Sequence, residues 1–127
     1  MDDKLTGVVI GAAIQVHKDL GPGLLESAYQ RCLQYELIQR ELHIDVEVPL
    51  PVSYKNIKLD RGYRLDLLVE NQLVIELKAV ESFEKIHTAQ LLSYLKLSNF
   101  QLGLLINFNE PILKKGIKRV INSKSHT

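Results

Sequence analysis

Apolar residues recur at helical spacing from the start of the chain. Leu5, Val8, Val9, Ala12, Val16 and Leu20 share one face, and Gly21, Pro22 and Gly23 then stop that helix and open the next. The second helix is predicted over residues 24–40, with Leu25, Ala28, Tyr29, Cys32 and Leu33 on its apolar side. The short connection makes the two an antiparallel or crossed pair. From Ile44 the period drops to two: Ile44, Val46, Val48, Leu50, Val52 and Tyr54 alternate with Asp45, Glu47, Pro49, Pro51 and Ser53, as in one half-buried strand. Its prolines remove amide donors and place it at a sheet edge.

A turn over residues 55–58 leads to a second strand, 59–69, and a third follows over 73–80. A third helix is expected over 83–97, capped by Ser82 or a neighbour. After it "LGLLINF" is an apolar run of the kind that forms a strand covered on both faces. A strand, a helix and a buried strand imply a right-handed crossover, so this strand should lie parallel to the third. Residues 111–121 read as a short strand or a helix, and 122–127 as a frayed tail. The pattern therefore predicts a single α/β domain over residues 1–121 with a mixed sheet.

Three charges interrupt the apolar strands. Asp66 lies in the second, Glu76 and Lys78 in the third. Residues of equal parity share a face, so Glu76 and Lys78 point the same way, as do Arg64, Asp66 and Leu68. A two-residue loop at Asn71 and Gln72 would set Asp66 against Leu77, on the wrong face. A three-residue loop of Glu70, Asn71 and Gln72, or a bulge in either strand, sets Asp66 against Glu76. Opposed carboxylates repel, and partly dry surroundings strengthen the repulsion. Lys78 can neutralise one of them. A divalent cation can bridge both, and hard oxygen ligands suit Mg²⁺ or Mn²⁺. The plain alternative is a metal-free ion cluster without chemistry.

Net charge changes little: it is +1, so no strong global field draws a polyanion. Lys114, Lys115, Lys118, Arg119 and Lys124 form a local basic stretch that is either such a patch or a solvated tail. The lone Cys32 excludes an intramolecular disulfide and reads as core filler. No stretch has the length of a membrane span, and no secretory leader is evident, so the expected setting is cytoplasmic.

Asp66, a nine-residue gap and Glu76-x-Lys78 together resemble the PD-(D/E)XK nuclease superfamily, with Leu65 standing where the name has Pro. "GLLESAY", residues 23–29, is similar to the signature of the GxxExxY protein family within it. "QLLSY", residues 90–94, is similar to the Gln-x-x-x-Tyr motif of its exonuclease-like branch. The resemblance implies a restriction-endonuclease-like α-β-β-β-α-β core, here a mixed sheet flanked by helices with an extra N-terminal helix. It also implies a metal-dependent hydrolase of nucleic acid, expected to be DNA. Asp66, Glu76, Lys78 and Glu26 are then the catalytic set. Asp66, Glu76, the Leu77 carbonyl and Glu26, directly or through water, would hold Mg²⁺ or Mn²⁺.

Gln90, Tyr94 and Arg64 would meet the nucleic acid. Tyr29 is expected to hold Glu26 by its hydroxyl, and His87 to share the face of Gln90 and Tyr94 that overlooks the carboxylates. A competing reading is a nuclease fold that serves as a binding or assembly module with weak or no catalysis, acting with a partner or by self-association.

Overall fold

The computed structural model describes residues 3–59 and 62–123. Helix α1, Asp3–Leu20, buries Leu5, Val9, Ala12, Ala13 and Val16. It ends where Gly21 takes φ 70° and its amide returns to the His17 carbonyl at 2.7 Å, a left-handed cap that glycine adopts without a steric penalty. Helix α2, Glu26–Gln39, packs against it through Tyr29, Leu33 and Leu37, all fully buried. Removing the side chain of such a leucine costs about 2–5 kcal/mol. Cys32 is half-buried against the same core.

Five strands form the main sheet: β1 Ile44–Pro49, β4 Arg64–Val69, β5 Leu73–Lys78, β6 Leu102–Asn107 and β7 Ile117–Ile121, in the order β1-β4-β5-β6-β7. The β5–β6 pair is parallel and the others are antiparallel, as the crossover through helix α3, Lys85–Ser98, requires. Every residue of β6 is buried, which accounts for its apolar run. One face carries Leu67, Val69, Ile75, Leu77, Leu104 and Ile106 under α1 and α2. The other carries Leu68, Val74, Leu105 and Val120 under Leu91 and Leu95 of α3. The Leu91 side chain of α3 packs directly over Gly103, where a Cβ would lie 3.0 Å from a Leu91 methyl. The result is a restriction-endonuclease-like α/β fold in three layers.

Three expectations change. The strand predicted over residues 44–54 divides into β1 and a separate ribbon, β2 Val52–Tyr54 paired with β3 Ile57–Leu59. Pro49 and Pro51 lack the amides that would continue the ladder across the break, and Lys55 at φ 52° turns the ribbon. The second predicted strand accordingly shortens to β4, while β1 keeps its edge position. Helix α3 is capped by Glu84, not Ser82, through a reciprocal box with His87. Residues 111–121 contain both candidates, a 3-10 turn at Leu113–Gly116 followed by β7.

At the expected tail, Asn122 is buried, takes a backbone bond to Gln101 and donates its side-chain amide to the Phe100 carbonyl. Lys124 and the rest of residues 124–127 lie outside the described residues. Lys114, Lys115, Lys118 and Arg119 are exposed on the 3-10 turn and the β7 edge. Among the described residues no helix is long and apolar enough to cross a membrane.

Candidate active site

The β4–β5 loop decides whether the charged residues meet. Val69 pairs with Leu73, leaving Glu70, Asn71 and Gln72 as a three-residue loop, with Glu70 and Asn71 at φ 54° and 53°. Asparagine tolerates that left-handed backbone better than most residues. The register continues through Leu68 with Val74 and Leu67 with Ile75, so the next position brings Asp66 opposite Glu76. Leu68 and Val74 lie under α3, and strand parity puts Asp66 and Glu76 on that face too.

Each acid holds the opposite strand. Glu76 Oε1 accepts the Asp66 amide at 3.0 Å, and Asp66 Oδ2 accepts the Leu77 amide at 2.8 Å. These two bonds replace the ladder where the strands begin to part. Asp66 Oδ1 and Glu76 Oε2 take no hydrogen bond among the described residues. Burial pushes the Glu76 carboxyl up to about 8, with the charge of Asp66 the second cause. Burial raises the Asp66 carboxyl as well, against the Leu77 amide and Lys78, which favour its charge. The pair is under-neutralised by the protein alone.

Lys78 follows Glu76 by two residues and shares its face. Its Nζ donates to Gln90 Oε1 at 3.1 Å and closes no ion pair with either acid. The amine still lowers both carboxyl values through space. Gln90 and Tyr94 lie one helical turn apart on the same side of α3, and burial followed by the Glu76 charge raises the Tyr94 hydroxyl. Helix α3 therefore brings an amide and a phenol to the carboxylates. Asn107, opposite Lys78 in the β5–β6 pairing, fixes the exit of β5 by bonding both the amide and the carbonyl of Val80.

Glu26, the first residue of α2, comes to the same end of β5, where its Oε2 accepts the Ala79 amide at 3.3 Å. Its charge is felt by both Asp66 and Glu76. Arg64 pairs with Glu47 at 3.4 Å, an exposed contact. Two supporting roles need correction. The Tyr29 hydroxyl does not hold Glu26: it donates to the Gly21 carbonyl at 2.6 Å and accepts the Leu24 amide at 3.0 Å, bracing the α1–α2 turn. Its ring stacks on Phe108 at 4.5 Å. His87 is engaged in starting α3, where its Nδ1 accepts the Glu84 amide at 2.9 Å and its ring meets Phe83 edge-on.

Three further residues belong to the neighbourhood. Asn107 was signalled by a polar residue inside an apolar run. Glu47, at φ 49° in β1, adds negative charge that Asp66 feels. Tyr63, just before β4, packs edge-on against Tyr94. Neither of the last two carries a spacing signal, because Glu47 comes to Asp66 through the β1–β4 register and Tyr63 to Tyr94 through packing between β4 and α3.

Among the described residues no group of three His, Cys, Asp or Glu side chains is gathered as a cage for an ion. What the site offers is a pair of adjacent, desolvated carboxylates, each with an oxygen uncommitted. Leu77 turns its amide towards Asp66, and in a strand a residue's carbonyl points to the same edge as its amide, so a third hard oxygen faces the pair. This donor set fits a hard divalent cation of the kind that keeps several waters and completes its shell with substrate oxygens. The family model described as PD-(D/E)XK nuclease superfamily matches residues 3–120. No curated protein and no solved structure gives a significant match.

Proposed function

As the chain belongs to the PD-(D/E)XK nuclease superfamily, we propose that it is a divalent-metal-dependent nuclease that hydrolyses phosphodiester bonds of DNA, and that it falls in the GxxExxY branch on Gly23, Glu26 and Tyr29. The observation that carries this reading is the opposed Asp66 and Glu76 pair, held by reciprocal amide bonds and raised by burial, an arrangement whose charged form a cation would favour. Buried ionisable groups with perturbed titration cluster at functional sites.

Asp66, Glu76 and the Leu77 carbonyl are the ligands in this proposal, with Glu26 acting through water from the end of α2. Mg²⁺ or Mn²⁺ bound there supplies Lewis acidity towards the scissile phosphate and makes a water more acidic. Lys78 orients that water and offers its charge to the oxygens that become more negative in the transition state. Gln90, which accepts from Lys78, keeps the ammonium group from collapsing onto one carboxylate. Tyr94 and Arg64 position the nucleic-acid backbone, Arg64 exchanging Glu47 for a phosphate.

The test is incubation of the purified protein with single- and double-stranded DNA and RNA in Mg²⁺ or Mn²⁺. Cleavage that is lost in Asp66→Ala and falls about a hundredfold or more in Lys78→Ala is expected. Absence of cleavage, or parental rates in those variants, overturns the assignment. Calorimetric Mn²⁺ binding separates a silent enzyme from an assembly module: the module binds no ion through Asp66 and Glu76.

A further inference from the structure

We infer that Tyr63 is a substrate-binding residue whose ring stacks on an unpaired base beside the cleaved phosphate, which makes single-stranded DNA the preferred substrate over continuous duplex. The inference rests on the nuclease reading above and adds to it a substrate class and a residue. Tyr63 is 46% exposed, a large ring left open at the lip of a buried site. Scattered exposed aromatics are ordinary on a surface, so placement has to carry the case.

The ring of Tyr63 lies edge-on to Tyr94, with centroids 6.3 Å apart and planes at 72°. Tyr94 is in turn one helical turn from Gln90 and lies within electrostatic reach of Glu76, Tyr63 and Asp66. The two rings thus form an angled platform that runs from the carboxylates outwards.

The backbone under Tyr63 is pinned. Its carbonyl accepts the amide of buried Leu50 at 2.8 Å, which closes the base of the β2–β3 ribbon. A ring presented from a fixed backbone costs little entropy to use. Tyr63 precedes Asp66 by three residues, about 10 Å along an extended chain, a span within the reach of a nucleotide next to one held at the acids. Arg64 lies between them and offers an exposed cation beside the ring.

A base inside a duplex has both faces covered by its neighbours, whereas an unstacked base gains from an aromatic surface whatever its identity. The geometry therefore favours unpaired strands without demanding a sequence.

The experiment uses the full chain carrying Lys78→Gln, a substitution chosen to suppress cleavage while keeping the nucleic-acid surface. It is titrated in Mg²⁺ against a DNA single strand containing a fluorescent adenine analogue, and against the matching duplex. Binding of the single strand with quenching of the analogue is expected. Adding Tyr63→Ala should weaken single-strand binding about tenfold and abolish the quenching, with duplex binding unchanged and Tyr63→Phe behaving as the parent.

Unchanged single-strand affinity in Tyr63→Ala, or an equal loss on both substrates, overturns the inference while leaving the nuclease reading intact. So does loss of self-association in Tyr63→Ala with DNA binding untouched, which would assign the ring to a protein contact. A parent that binds no nucleic acid sinks the nuclease reading itself.

Discussion

Asp66 and Glu76 lock the end of one hairpin from opposite strands: Glu76 Oε1 takes the Asp66 amide at 3.0 Å, and Asp66 Oδ2 takes the Leu77 amide at 2.8 Å. Both carboxylates are thereby structural and chemical at once. The amides favour their charged forms, while burial and mutual repulsion oppose them.

This balance gives the metal-free protein an unusual pH dependence. Glu76 moves from 4.5 to about 8 on folding, so between those values the folded state binds more protons than the unfolded one. Stability from this group is therefore fully present below the unfolded value and is lost as pH rises through the folded one. Urea unfolding in chelator should show the wild type losing stability relative to Glu76→Gln from about pH 5 to pH 8. Parallel curves for the two proteins would refute the burial argument.

Cation binding should act in the opposite direction. At pH 8, Mg²⁺ or Mn²⁺ competes with the proton, and saturation at a hundred times Kd adds about 2.7 kcal/mol, or a few degrees in Tm. The rise should vanish in Asp66→Asn and Glu76→Gln. Persistence of the rise in both variants would place the ion elsewhere.

Lys78→Ala should lower kcat by about a hundredfold or more with the fold retained, the scale seen when one donor to developing negative charge is removed. Gln90→Ala, which releases the amine without deleting it, should cost less. The acidic limb of the pH profile should move to higher pH in Lys78→Ala, because the charge that favours ionised Asp66 and Glu76 is gone. An unshifted limb would mean that those acids do not govern the rate.

Tyr29→Phe tests the corrected role of that hydroxyl. It leaves the Gly21 carbonyl and the Leu24 amide without their shared partner, at about 1–3 kcal/mol. Chemical denaturation should detect the loss, and rotation of the α2 start should lower activity only secondarily. A variant as stable as the parent would show that water replaces the hydroxyl.

Much of this was legible along the chain, because local pattern follows local physics. Helical spacing from Leu5 to Leu20 and again through Tyr29, Leu33 and Leu37 marked the helices, since one face had to be buried. The apolar run of β6 announced a strand covered on both sides, and the intervening helix dictated that it run parallel to β5. Strand parity by itself puts Glu76 and Lys78 on one face.

Only the tertiary structure decided the rest. Two backbone positions with positive φ, at Glu70 and Asn71, selected the three-residue loop among the possible turns and so brought Asp66 opposite Glu76. The β1–β4 ladder ran out beyond Pro49, with the Leu50 amide holding the Tyr63 carbonyl at the base of a separate ribbon, and so set the Tyr63 ring against Tyr94. The Tyr29 hydroxyl found the Gly21 carbonyl and the Leu24 amide instead of Glu26, because a buried donor takes the nearest unsatisfied backbone group. Sequence pattern reports which side of an element is buried; which groups meet depends on register, turn geometry and hydrogen bonds between segments far apart in the chain.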